Sequence, residues 1–166
     1  YGTEKNYLKD LLEYWIEDYD WKKTELEINS FPNFTCEIND IPIHFIYSKG
    51  SSERAKPLIL THGWPWTFWD YKKIIRPLTN PEEYGALKED AFDVIIPSRP
   101  GFGFSTPLKK TGINFSNTAD LWVSLMRDVL GYEKFFAHGG DWGGLVTLQL
   151  GHKYSEFVPA VHTHTI

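Results

Sequence analysis

The feature that most constrains this chain is a series of short apolar runs, each closing on glycine or a polar turn. They are "PLILTHG" (57–63), "AFDVIIPS" (91–98), "KFFAHG" (134–139) and "VPAVHTH" (158–164). Runs this short, with no alternation of polar residues, are the pattern of strands buried on both faces. Stretches with helical spacing separate them. "FWDYKKIIRPL" (68–78) is expected to be a helix ended by Pro77. "FSNTADLWVSLMRDVLG" (115–131) is expected to be capped by Ser116 or Asn117 and stopped by Gly131. Its buried face would carry Leu121, Trp122, Leu125, Met126 and Val129. "GLVTLQLGHKYSEF" (144–157) supplies a third helix. Strands alternating with helices define an α/β chain with a mostly parallel sheet and right-handed crossovers.

Upstream the pattern differs. "KNYLKDLLEYWIEDYDW" (5–21) places Tyr7, Leu8, Leu11, Leu12, Trp15, Ile16 and Tyr19 at helical spacing, so one face should be buried. "TCEINDIPIHFIYS" (35–48) reads as a hairpin turning at Asn39-Asp40. Beyond the turn, Ile41, Ile43, Phe45 and Tyr47 alternate with Pro42, His44, Ile46 and Ser48. The expected organisation is a helical segment over 1–35 packing on an α/β core over 36–166, one structural domain in all.

Composition limits the functions open to the chain. With 166 residues, 42% hydrophobic and 23% charged, it can bury a globular core. A net charge of −5 leaves no basic footprint, so nucleic acid is not an expected partner. Seven Trp among 16% aromatics fit either an aromatic-rich core or an apolar pocket for a small ligand. Cys36 is the single cysteine, so no intrachain disulfide forms, which fits a reducing, cytoplasmic setting. No stretch approaches the roughly 18 apolar residues of a membrane span, and no signal peptide is visible. The chain starts at Tyr1, which leaves open a preceding leader or anchor.

The chemistry concentrates where the third buried strand meets its helix. There the chain reads Gly139-Gly140-Asp141-Trp142-Gly143. In open α/β sheets ligands bind outside the carboxyl ends of the strands. A sharp strand–turn–helix bend of the form G-x-S-x-G presents a nucleophile to that crevice. Here Asp141 occupies the serine position, and Gly139, Gly140 and Gly143 supply the room such a bend needs. A helix N-terminus favours the carboxylate form. A carboxylate is a modest nucleophile that can open a strained or activated carbon, such as an epoxide or an alkyl halide. The competing reading is a Gly-rich turn in which Asp141 merely caps its helix.

A second motif, His62-Gly63-Trp64-Pro65, follows the strand "PLIL". An oxyanion hole of this type uses the backbone N–H after the nucleophile, here Trp142, and one from a loop after an earlier strand, here Trp64. Gly63 would allow an unusual backbone angle, and Pro65 would stiffen the loop, with a cis peptide as one option. His62 reads as a hydrogen-bonding scaffold for the loop. The competing reading is a rigid surface turn.

Together these motifs resemble the α/β-hydrolase-fold epoxide hydrolases, in particular the microsomal-type branch and its bacterial relatives. The segments "YWIEDYDWKKTELEINSFPNFTCEINDIPIHFIYS", "IIPSRPGFGFSTP" and "LMRDVLGYEKFFAHGGDWGG" carry the same resemblance, which covers nearly the whole chain. It implies the N-terminal part of an α/β-hydrolase fold, with the lid and C-terminal strands absent. It also implies a small apolar epoxide substrate, no metal and no organic cofactor. Asp141 would form an alkyl-enzyme ester, and Trp64 and Trp142 would stabilise the oxyanion formed when water attacks it. The family also uses a His base, its acidic partner and lid tyrosines, which are expected beyond Ile166. Haloalkane dehalogenases resemble the chain at Asp141-Trp142 but usually carry Asn or Glu where Trp64 stands. A non-catalytic hydrolase-fold binding protein, or an inactive fragment, is the third reading.

The remaining candidates are expected to be structural. His44 and His138 lie within strands, His152 on the helix after the elbow, and His162 and His164 on the last strand. Gly101-Phe102-Gly103 lacks the third glycine and following helix of a dinucleotide site. It reads as a loop in which Phe102 borders the active site and Arg99 ties the loop down.

Overall fold

The structure, a computed structural model, describes residues 2–164. The chain divides into two compact units, Tyr1–Phe31 and Pro32–Ile166.

The first unit holds helices α1 (Lys5–Glu17) and α2 (Trp21–Asn29). The helical run ends earlier than its spacing suggests. Asp20 accepts from the Lys22 N–H at 3.0 Å and starts a second helix instead. The apolar residues of α1 fall on one stripe, as their spacing leads one to expect.

The second unit is built on a six-stranded sheet of order β1-β2-β4-β3-β5-β6. Its strands are β1 (Asn33–Ile38), β2 (Ile41–Ser48), β3 (Lys56–Thr61), β4 (Phe92–Pro97), β5 (Phe136–Gly140) and β6 (Val161–His164). β1 and β2 form the expected hairpin. Asn39 and Asp40 both take positive φ, 53° and 58°, as a two-residue turn between strands of right-handed twist requires. β2 runs antiparallel to β4, whereas β4, β3, β5 and β6 are mutually parallel. The alternation expected along β2 gives way at His44, Phe45 and Ile46, which are all buried. Pairing with β1 and β4 covers both edges of β2, while His44 is covered by the Phe68 and Phe104 rings and Phe45 by Phe34.

Between strands run α3 (Lys72–Thr79), α4 (Phe115–Ser124) and α5 (Trp142–Lys153). α3 continues through Pro77 and is closed by the Asn80 N–H on the Arg76 carbonyl, so Pro77 does not end it. A proline in the last turn forfeits one helix bond without breaking those around it. α4 is capped by Asn114, not by Ser116 or Asn117. Asn117 is its reciprocal partner, each side chain accepting from the other's backbone N–H. A π-helical turn at Leu125–Val129 then widens the spiral, which carries Val129 off the buried face and leaves it exposed. Leu121, Trp122, Leu125 and Met126 stay in the core, with Ile59, Ile95 and Phe135. The Trp122 indole N–H donates to Thr61 Oγ1 at 3.0 Å, fixing α4 to the end of β3.

Because β3, β4 and β5 are adjacent and parallel, their carboxyl ends share one edge of the sheet. The loops after Thr61 and Pro97 and the bend after Gly140 therefore converge there.

Candidate active site

β5 ends at Gly140 and α5 starts at Trp142, which leaves Asp141 alone to make the bend. Its backbone sits at φ 53°, ψ −127°, a strained conformation for a residue with a side chain. Contact between backbones explains the neighbouring glycines. A Cβ on Gly143 would run into the Thr61 carbonyl and come within 2.9 Å of the His62 carbonyl oxygen. One on Gly139 would strike the Gly143 carbonyl, and one on Gly140 the His164 ring. Strand β5, helix α5 and the end of β3 thus pack with nothing between their main chains.

The bend points the Asp141 carboxylate at the loop after β3. The Trp64 N–H donates to Asp141 Oδ1 at 2.8 Å, joining residues 77 positions apart. Hydrogen bonds from the backbone N–H groups of Trp142 and Trp64 hold the Asp141 pKa below the ordinary carboxylate range, and the Arg99 charge adds to the effect. Beyond the first helical residue, Trp142, the side chain caps nothing in its own helix, and its bond of 2.8 Å goes across the site to Trp64 instead.

Gly63 serves for clearance rather than for a special angle, since its φ is not positive. A Cβ there would lie 2.7 Å from Asp141 Oδ1 and 2.9 Å from Asp141 Cβ. The Trp64–Pro65 peptide is cis. At the far end of the loop Thr67 and Asp70 form a reciprocal cap, with the Thr67 N–H on Asp70 Oδ2 at 3.1 Å and the Trp69 N–H on Thr67 Oγ1 at 3.2 Å.

The His62 ring is 1% exposed and both its nitrogens are engaged. Nε2 accepts from the Arg99 backbone N–H at 3.1 Å, which leaves Nδ1 to donate to the Gly63 carbonyl at 2.8 Å. Burial pushes its pKa down to about 4. It therefore stays neutral and links the β3 loop to the β4 loop. His44 is likewise buried, between Ser98 Oγ and Asn33 Oδ1, each at 2.9 Å. His138 pairs with His162, Nδ1 to Nδ1, at 2.8 Å. His152 lies in the last turn of α5. His164 shares a cavity of about 340 Å³ with His62, Gly63, Trp66 and Tyr71. Among the described residues no group of three or more His, Cys, Asp or Glu could hold a metal ion.

On the other side of the elbow, Phe102 borders a cavity of about 290 Å³ with Arg99, Ile113, Phe115 and Trp142. Phe115 meets the Trp142 ring edge-on, with centroids 5.1 Å apart. In the sequence Phe115 is only the first residue of a helix, and nothing in local spacing places it beside residue 142. The Gly101-Phe102-Gly103 segment is a turn held by the Gly101 N–H on the Ser105 carbonyl, and no helix follows it directly.

Comparison with known proteins gives this architecture a class. Residues 56–166 match the family model described as alpha/beta hydrolase fold, and the chain belongs to that family. Residues 1–71 match a second model, described as epoxide hydrolase N terminus. The chain is 41% identical to Epoxide hydrolase 1 of Oryctolagus cuniculus over 166 residues, covering 98% of this chain and 36% of that protein. It is 39% identical to Epoxide hydrolase 1 of Sus scrofa, covering 98% of this chain and 36% of that one. The solved structure of Aspergillus niger epoxide hydrolase superposes with a TM-score of 0.87 at 32% identity, over 99% of this chain and 42% of the other. The chain thus spans about a third of the length of the curated relatives it matches. No helix among the described residues is long and apolar enough to cross a membrane.

Proposed function

We propose that the protein of which this chain is part is an epoxide hydrolase with Asp141 as its nucleophile. The observation that carries the reading is the Trp64 N–H held on Asp141 Oδ1 at 2.8 Å. That contact leaves the second carboxylate oxygen, Oδ2, to attack. In the first step Oδ2 bonds to a ring carbon and the ring C–O bond breaks. The departing alkoxide takes a proton from an acid on the substrate side. Oδ1 becomes the carbonyl oxygen of the resulting ester. In the second step water attacks that carbonyl carbon while a base removes its proton. Negative charge returns to Oδ1, where the N–H groups of Trp64 and Trp142 receive it. Collapse breaks the ester C–O bond, and the departing alkoxide takes back the proton held by the base to give the vicinal diol. The Asp141 carboxyl loses its proton, which replaces the one the acid gave up in the first step.

The same two donors have opposite effects on the two steps. They stabilise the resting carboxylate, and so give alkylation no help. They stabilise the tetrahedral oxyanion, and so accelerate hydrolysis of the ester. We assign the base, its acid partner and the proton donor to the part of the protein that the longer relatives carry beyond the matched region. The substrate class is a small apolar epoxide, which the aromatic cavity of Phe102, Phe115 and Trp142 suits. No organic cofactor or metal is required by either step.

Incubating the complete protein with an aryl epoxide tests the reading. Vicinal diol should form, and chloroalkanes should release no halide. Halide release without diol formation would move the assignment to a dehalogenase, and neither product would leave a binding protein.

A further inference from the structure

Arg99 is 4% exposed, yet among the described residues its guanidinium makes no close ion pair, and its Nε has no hydrogen-bond partner. Burying a cation this way is costly unless some feature of the site compensates. Its face lies 4.3 Å from the Phe102 ring centroid and 5.2 Å from that of Trp142. Its Nη2 donates to the Gly63 carbonyl oxygen at 3.5 Å. The same oxygen accepts from His62 Nδ1 at 2.8 Å. Gly63 C=O and Trp64 N–H belong to one planar trans peptide, so they point in opposite directions. Two donors grip that peptide from behind, and Asp141 accepts from its front. A hydrogen-bonded carbonyl also polarises its own N–H and makes it a stronger donor.

We infer that Arg99 is a positioning residue: it clamps the back of the Gly63–Trp64 peptide, aims the Trp64 N–H at Asp141, and places a positive charge behind the carboxyl where oxyanion charge develops. The inference rests on the ester mechanism above. Burial lowers the Arg99 pKa to about 10 and Asp141 is the group that opposes the shift, so the side chain remains a cation at neutral pH. The charge and the aimed N–H both favour the carboxylate over the ester, and the oxyanion over the ester. Their loss should therefore slow hydrolysis of the ester far more than its formation.

Rapid-quench mass spectrometry on the complete protein with styrene oxide as probe separates the two rates. Arg99→Met is expected to lower the ratio of hydrolysis to alkylation about tenfold or more, with ester accumulating on Asp141. Arg99→Lys keeps the charge but loses the planar fork, and should lower the ratio only a few-fold. Thermal melting shows whether each variant is folded, and if Arg99→Met is not, Arg99→Lys carries the test. An unchanged ratio in the folded variant overturns the positioning role while leaving the ester mechanism standing. Absence of any ester in the unsubstituted protein would instead remove the mechanism on which the role depends.

Discussion

The backbone N–H of Trp64 donates to Oδ1 of Asp141 at 2.8 Å, so the loop after β3 and the bend after β5 are joined through the reactive carboxylate itself. Gly63 makes the approach feasible, since any Cβ there would sit 2.7 Å from Asp141 Oδ1. The arrangement orients one carboxylate oxygen and leaves the other available.

Asp141→Asn should separate chemistry from folding. Asn tolerates positive φ better than most residues, and its amide oxygen can still accept from Trp64. The melting temperature should change by no more than a few degrees, while diol formation disappears. Full diol-forming activity in the folded Asn variant would contradict the nucleophile assignment.

Gly63→Ala should be far more damaging to catalysis than to stability. The new methyl must push the loop away from Asp141, and the Trp64 N–H moves with it. A misplaced oxyanion donor costs about 100-fold in kcat, whereas mild overpacking at a loop costs about 1–2 kcal/mol. Steady-state kinetics and denaturant unfolding on one preparation compare the two effects.

Gly143→Ala should fail at folding. Its Cβ would face the carbonyl groups of Thr61 and His62, which are main chain and cannot rotate aside. A loss of stability above about 3 kcal/mol is expected in urea unfolding. A loss below about 1 kcal/mol would mean that β3 and α5 do not pack as closely as described.

Stability should also fall on mild acidification. Burial brings the His44 and His62 pKa values down to about 4, against an ordinary value near 6.5. Between those values the unfolded chain binds protons that the folded chain refuses. Stability from these groups is therefore full above about pH 6.5, declines as pH falls toward 4, and is gone below it. Each histidine can contribute up to about 3 kcal/mol across the window. Denaturant unfolding at several pH values measures the slope, and a flat profile from pH 6.5 to 4 would contradict the neutral, fully bonded state described for both rings.

Much of this site was legible in the sequence because its parts are local. Continuous apolar runs mark β3, β4 and β5, and Asn39-Asp40 marks the hairpin turn. Gly139 to Gly143 announces a bend too tight for side chains, and Asp141 does adopt the strained angle. What local pattern could not carry is contact between distant segments. Gly63 looked like a residue chosen for its angle, but it is a clearance residue for a side chain 78 positions away. Arg99 looked like a loop tie, and its grip on the peptide facing Asp141 appears only once β3 and β4 lie side by side. The π turn after α4 and the helix running through Pro77 likewise depart from the local pattern. The apolar stripe of α1 was visible from its spacing.

The most direct test of the ester mechanism is a single turnover of the complete protein in water enriched in heavy oxygen, followed by mass analysis of the peptide containing Asp141 and of the diol. Water attacking the ester carbonyl would leave one labelled oxygen in the Asp141 carboxylate and release a diol without label. Label in the diol and none in Asp141 would show that water opens the epoxide directly, with no ester on Asp141.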